Sequence, residues 1–147
     1  MADLTVTAAS VAPYTGANNP SVISRGTAGA TITAGQAIYL DSTTSTLKLA
    51  DADASTAAAY GVGIALHASL SGQPLSYVSG GFFTPGATLT KGQVYCVSAT
   101  AGGIAPISDT VAATGAHPCI LFYAISTSVA YVIVQNMVDT SLTQITI

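Results

Sequence analysis

The strongest constraint on the fold is an internal repeat in the sequence. Residues 30–36 (ATITAGQ) recur as residues 87–93 (ATLTKGQ), a shift of 57 positions with five of seven residues identical. The apolar pattern continues at this shift and predicts that Ile64 matches Leu121, with no gap through the last strand of each copy. Self-similarity at a fixed period indicates one supersecondary unit used twice.

The repeat defines the domain organisation. We predict an N-terminal strand and extended arm at residues 1–29, followed by a single β domain at residues 30–147. The domain consists of two repeats, 30–86 and 87–140, and a C-terminal strand. The apolar residues of that last strand are Leu142, Ile145 and Ile147.

Each copy is predicted to contain the same short strands. They lie at residues 31–33, 36–40, 46–49, 61–66 and 74–78 in the first copy, and at 88–90, 93–98, 104–107, 119–125 and 130–135 in the second. Gly35 and Gly92 are placed in tight turns, where a positive φ favours glycine. The Ala-rich linkers 51–59 and 109–116 are each predicted to form at most a short helical turn. The fold class is therefore all-β, a compact β-barrel or sandwich built from two repeated units, with an extended N-terminal arm.

The two copies differ in how apolar their strands are. Residues 119–125 and 131–134 are apolar at nearly every position, which predicts central strands covered on both faces. The first copy is lighter and richer in glycine, so we place it nearer an edge and expect it to offer the surface for partners. Residues 8–29 contain two Pro, two Asn and three Gly, which predicts a flexible arm that orders on a partner.

Charge is scarce in this sequence. Only 6% of residues are charged: three are basic, six are Asp and none is Glu. Such a composition predicts a surface of Ser, Thr, Gly, Ala and Asn, packed against copies of the chain or a partner. Three basic residues cannot neutralise a run of phosphates, so direct nucleic-acid binding is disfavoured. We also find no signal peptide and no apolar run of about 18 residues, and expect a cytoplasmic chain without a membrane span.

Catalytic and metal-binding patterns are weak throughout. His67 and His117 do not occupy equivalent repeat positions, and no G-x-S-x-G motif accompanies the 15 Ser residues. Asp51 and Asp53 have the spacing of a cation loop but lack its later carboxylates, so we predict a solvated turn. The Gly-Val-Gly at residues 61–63 lacks a third glycine and a following helix. We predict no enzyme activity and no catalytic, cofactor-binding or metal-binding residues.

The cysteines and tyrosines are interpreted as packing residues. Cys96 and Cys119 are predicted to be small buried hydrophobes, since neither lies in a C-x-x-C motif and the N-terminus gives no sign of export. Aromatic faces can also stack on sugar rings, but most tyrosines fall inside predicted strands, which favours core or subunit-interface packing. They are Tyr14, Tyr39, Tyr60, Tyr77, Tyr95, Tyr123 and Tyr131.

Several segments together resemble a known family. They are residues 26–41 (GTAGATITAGQAIYLD), 47–53 (LKLADAD), 61–66 (GVGIAL) and 72–75 (GQPL). In these segments the chain resembles tailed-bacteriophage capsid decoration (cement) proteins. The resemblance implies a homotrimer on the virion head surface that bridges major capsid protein subunits, after synthesis in the host cytoplasm. The alternatives are another phage virion component (tail, neck or head-fibre module) and a bacterial surface or glycan-binding β module.

Overall fold

The chain folds around one antiparallel β-sheet. The structure is a computed structural model that describes residues 3–112 and 115–136. Strands make up 45% of it and helices 8%, and the sheet curls into a half-barrel, which confirms the all-β prediction. The sequence favours this outcome because Val, Ile, Thr and aromatic residues fit a pleated surface, while the residues that coat helices are rare.

The described residues contain ten strands and three short helical segments. The strands are β1 (Val11–Pro13), β2 (Val22–Thr27), β3 (Ala37–Asp41), β4 (Thr46–Leu49), β5 (Gly61–Ala65), β6 (Pro74–Pro85), β7 (Val94–Val97), β8 (Ile104–Pro106), β9 (Cys119–Ala124) and β10 (Ala130–Asn136). The helical segments are a 3-10 turn (Ala8–Ser10), α1 (Thr56–Ala59) and α2 (Ile107–Ala112). The main strand order is β4-β3-β5-β6-β10-β9-β7-β8, and β1 and β2 also pair with β6.

The two halves of this order carry the same irregularity in strand pairing. The registers that show it are Ile38–Gly63 and Tyr39–Gly61 in the first half, and Tyr95–Phe122 and Cys96–Ile120 in the second. Equivalent residues are 57 apart in β3 and β7 but 59 apart in β5 and β9. The predicted gapless match of Ile64 with Leu121 is therefore wrong. The physical reason lies in the connecting helices, since α1 has four residues and α2 has six.

The predicted turns at the start of each copy are present, but the short strands predicted before them are not. Gly35 and Gly92 adopt φ of 87° and 83°, as predicted. Residues 31–33 form only an isolated bridge, and residues 88–90 form no strand. Side-chain oxygens satisfy the backbone here: Gln36 Oε1 accepts from the Thr33 N–H at 2.8 Å, and the Tyr95 hydroxyl accepts from the Thr90 N–H at 3.0 Å. A strand partner is not needed.

The buried side chains form two clusters on opposite faces of the first half. The larger cluster is shared by both halves and contains Phe83, Leu89, Tyr95, Ile104, Leu121, Phe122 and Val132 among others. The smaller cluster consists of Ala28, Ile32, Ile38, Leu47, Ala65 and Leu75. Neighbours on one strand point to opposite faces, and Ala37 belongs to the larger cluster while Ile38 belongs to the smaller. The first half is therefore covered on both faces.

Within residues 3–112 and 115–136, the second half is covered on one face only, which contradicts the prediction for its strands. On β9 and β10, Val132 is buried, whereas Tyr123 and Tyr131 are half-buried and Ile133 is 41% exposed. The apolar runs gave no indication of what would cover them. The segment 28–32 folds over the first half, while Leu89, in the equivalent segment of the second copy, packs into the shared core.

The N-terminal segment is paired within the chain, so the prediction of a flexible arm that orders on a partner is also wrong. Strands β1 and β2 follow each other along β6, from the Val11–Pro85 pair to the Thr27–Pro74 pair. The Leu4 N–H donates to the carbonyl of Ile104 at 2.8 Å, beside β8. The predicted C-terminal strand with Leu142, Ile145 and Ile147 lies outside the described residues.

The shared core contains a cluster of three aromatic rings, and a substitution in this cluster tests the packing between the two halves. The ring of Phe122 lies 5.5 Å from Phe83 and 5.3 Å from Tyr95, and Phe122 is fully buried. We expect Phe122→Ala to lower the free energy of unfolding by about 3–5 kcal/mol, because it leaves a cavity between both halves. Urea denaturation measures this. Leu70→Ala is the control, because Leu70 is 57% exposed and should change stability by less than about 0.5 kcal/mol. Equal effects of the two substitutions would contradict this packing.

Candidate interaction surface

The two histidines lie in connections between strands. His67 Nδ1 donates to the carbonyl of Ala68 at 2.9 Å, and His67 Nε2 accepts from the Ser76 N–H at 3.0 Å. These bonds hold the connection from β5 against the start of β6. The His117 N–H donates to the carbonyl of Ala52 at 2.8 Å. Within residues 3–112 and 115–136, no three His, Cys or Asp side chains are grouped closely enough to hold a metal ion.

Asp51 and Asp53 form the turn that the sequence predicts. Asp51 Oδ1 accepts from the Asp53 N–H at 3.3 Å, and Asp53 is exposed. Burial raises the pKa of Asp51, and its hydrogen bond with the Asp53 side chain raises it further. A carboxyl group with a raised pKa is a poorer cation ligand, because metal binding needs the ionised form.

Cys96 and Cys119 are both buried and free, which confirms their interpretation as small hydrophobes. Burial raises the pKa of Cys96 to about 12, and the nearby Cys119 adds to the effect. Burial likewise raises the pKa of Cys119 to about 11, although a hydrogen bond to Gly61 opposes it. Thiols react as thiolates, so neither cysteine is suited to nucleophilic chemistry.

The tyrosines separate into packing residues, a surface row, and Tyr60, which follows α1, is 57% exposed and does not pack in the core. Tyr95 is buried in the shared core, while Tyr39 and Tyr77 pack against the buried clusters, as the sequence predicts. Tyr14, Tyr123 and Tyr131 are only half-buried and line up with Phe82. Successive ring centroids in the order Tyr14, Phe82, Tyr131, Tyr123 lie 5.5, 5.4 and 5.5 Å apart, each pair edge-to-face.

This row crosses the sheet from the end of β1 to β9. Tyr131 of β10 is directly opposite both Phe82 of β6 and Tyr123 of β9, so the three side chains share one face. Tyr14 follows β1, and its N–H donates to the Ser21 hydroxyl at 2.8 Å. That hydroxyl in turn donates to the Phe82 carbonyl, which fixes Tyr14 beside Phe82.

A second row lies next to the aromatic one. Gly80 of β6 is paired with Val22 on β2 and with Ile133 on β10. Ile133 is two residues from Tyr131 on one strand and therefore shares its face. Val22 is 56% exposed and Ile133 is 41% exposed. We call both rows together the outer face, defined by Tyr14, Val22, Gly80, Phe82, Tyr123, Tyr131 and Ile133.

None of the seven residues that define the outer face is Asp, Lys, Arg or His. A contiguous apolar patch of this kind usually marks a site of contact with another molecule. Successive rings in the row are steeply inclined to one another, so the four rings do not form one flat platform for stacking on a sugar. The arrangement suits packing against another protein surface better than sugar binding.

Sequence reasoning missed Val22, Gly80 and Phe82 on this face. It ended the fifth strand of the first copy at residue 78 and left residues 79–85 unassigned. The repeat held a usable signal, because residues 79–84 lie 57 positions after β2. The outer face is also not confined to the first copy, which was expected to offer the surface for partners. It combines residues of the N-terminal segment and of β6 with Tyr123, Tyr131 and Ile133 of the second copy.

Comparison with known proteins adds no relative. A scan against protein-family models finds no match, and a search of curated proteins finds no significant match. Among the helices of the described residues, none has the length and apolar character needed to cross a membrane.

The buried thiols give a test of this geometry. We expect neither Cys96 nor Cys119 to react with an aromatic disulfide reagent at about pH 8 while the protein is folded, because burial keeps both thiols neutral. Both should react at once in concentrated urea. The absorbance of the aromatic thiolate that the reagent releases measures the reaction. Rapid reaction of one equivalent in buffer would show that a cysteine is open to solvent.

The same thiols predict a loss of stability in alkali. Their folded pKa values exceed the unfolded value of about 8.5, so their contribution to stability is complete below that pH. As the pH rises above about 8.5, the unfolded chain ionises first, and stability falls by about 1.4 kcal/mol per pH unit for each thiol until the folded thiol ionises. Urea midpoints measured across this range should fall less steeply for Cys119→Ala than for the unmodified chain. Identical slopes would contradict the raised pKa of Cys119.

Proposed function

We propose that this chain is a virion structural protein that decorates the outer surface of a phage capsid. In this role it binds major capsid protein subunits as a homotrimer, bridges neighbouring subunits and stabilises the head. The observation that carries the proposal is the uncharged, apolar outer face, which suits packing between the subunits of an assembly, on a chain with very little charge. The resemblance of residues 26–41, 47–53, 61–66 and 72–75 to decoration proteins supports it from the sequence.

The few charges that exist are partly used within the chain. Lys48 Nζ lies 2.7 Å from Asp41 Oδ2. The hydrogen bond between them lowers the pKa of Asp41 and raises the pKa of Lys48, so both groups stay charged over a wider pH range. Asp3 accepts a hydrogen bond of 2.6 Å from the Ser98 hydroxyl. Little charge is left to direct the chain to a nucleic acid or an acidic partner. Contacts with a protein lattice must then come from apolar packing and neutral hydrogen bonds.

Stabilisation of a head follows from mass action. A protein that binds only the assembled lattice lowers the free energy of that lattice relative to its dissociated subunits. Many copies, each bound weakly, together give a large effect. Catalysis and a bound cofactor are not required for this role.

Binding to purified heads tests the proposal. We expect the protein to sediment with bare, expanded phage heads and to raise the temperature at which they release DNA. Because the contacts are uncharged, affinity should change by less than about threefold between about 0.05 M and about 0.5 M NaCl. Quantitative co-sedimentation at both salt concentrations measures this.

Purified tails from the same phage are the matched control. Binding to tails and not to heads would contradict capsid decoration and favour the alternative, a tail, neck or head-fibre module. A steep loss of head binding with salt would show that charges carry the contact.

A further inference from the structure

Gly80 is the one glycine of residues 3–112 and 115–136 at which neither the backbone conformation nor a close contact calls for glycine. The others either have a positive φ, as Gly81 does, or place a Cβ within 3.1 Å of another atom, as at Gly63, where it would collide with the Val78 carbonyl. Gly80 borders the irregularity in the pairing of β2 with β6, but its φ is not positive. A Cβ at Gly80 would meet only the Val22 side chain, at 3.5 Å, which is ordinary van der Waals distance.

Glycine is a costly choice at such a position. In a strand interior it loses more conformational entropy than other residues and has no side chain to pack. Gly80 lies in the outer face, between the exposed side chains of Val22 and Ile133. Glycine inside a strand often marks a place where another molecule approaches the backbone closely. Here such an approach is possible only from the solvent side.

We propose that the outer face binds a second copy of this chain, with a side chain of that copy packed directly over the Gly80 backbone. This inference deepens the proposed function and rests on it for the premise that copies of the chain meet on the virion. It adds the face through which they meet and the residue that sets how closely they approach.

Charge favours a copy of this chain as the occupant. The residues of the outer face include no ionisable side chain other than tyrosine. A charged partner would find no opposite charge on this face and would lose the hydration of its own charges at a cost in free energy. A second copy presents the same neutral face. The net charge of −3 on 147 residues also leaves little repulsion between copies.

Shape favours the same occupant. The face has a gap at Gly80 and projecting aliphatic side chains on both sides of it, Val22 and Ile133. A copy therefore carries both the gap and a side chain that fits one. In a closed ring of two or three copies, each gap can receive a side chain from its neighbour.

The mass of the isolated protein in solution tests the proposal without phage heads. We expect sedimentation velocity and light scattering to show an oligomer for the unmodified chain. Gly80→Val fills the gap and should weaken association at least tenfold, as expected for a central interface contact. Ile133→Ser removes a projecting side chain and should also weaken association. Leu70→Ser is its matched control, because Leu70 is even more exposed than Ile133 but lies off the outer face, and it should leave the mass unchanged.

Folding controls separate an interface effect from a damaged chain. Gly80→Ala should keep the circular dichroism spectrum and thermal midpoint of the unmodified chain, whereas Gly63→Ala should lower the midpoint because its Cβ meets backbone. If Gly80→Val unfolds, the comparison of Ile133→Ser with Leu70→Ser decides. A monomer at all concentrations, or an oligomer unaffected by Gly80→Val and Ile133→Ser, overturns the inference. Head binding is measured separately, so a monomer that still decorates heads would refute only the interface.

Discussion

Strand β6 holds the sheet together because four other strands bond to it. Strands β1 and β2 pair with it in turn along its full length, β5 pairs at Tyr77 and Val78, and β10 pairs from Gly80 to Phe83. The change of partner from β5 to β10 occurs just before Gly81, whose positive φ bends the strand. The pairing of β6 with β10 is the strand contact that joins the two halves of the sheet.

The duplication explains why one strand has this role. Residues 79–84 of β6 lie 57 positions after β2, so the strand that ends the first copy continues into the strand that begins the second. The first copy therefore has a separate segment, residues 28–32, that folds over its back. The second copy begins within the sheet itself, and its described residues supply no such cover, so Tyr123 and Tyr131 are half-buried and Ile133 is exposed.

Turns and short strands could be predicted from the sequence, but which segment covers each face of the sheet could not. The hairpin strand at Thr46–Leu49 and the positive φ at Gly35 follow from residue preferences within a few positions. The length of β6 was missed because Gly80 and Gly81 read as a break, although the strand only bends there. An apolar run such as 119–125 shows that its residues avoid water, but not which segment buries them, since that depends on contacts distant in sequence.

The scarcity of charge and the open outer face are linked. A monomer that exposes Val22 and Ile133 normally surrounds such residues with Lys and Glu, which repel other copies. This chain has no Glu and places no charge on that face. The aromatic row lowers the cost of exposure, because edge-to-face contacts between Tyr14, Phe82 and Tyr131 cover part of each ring. The aliphatic side chains beside Gly80 make no such ring contacts, so burying them against another surface would remove further apolar area from water.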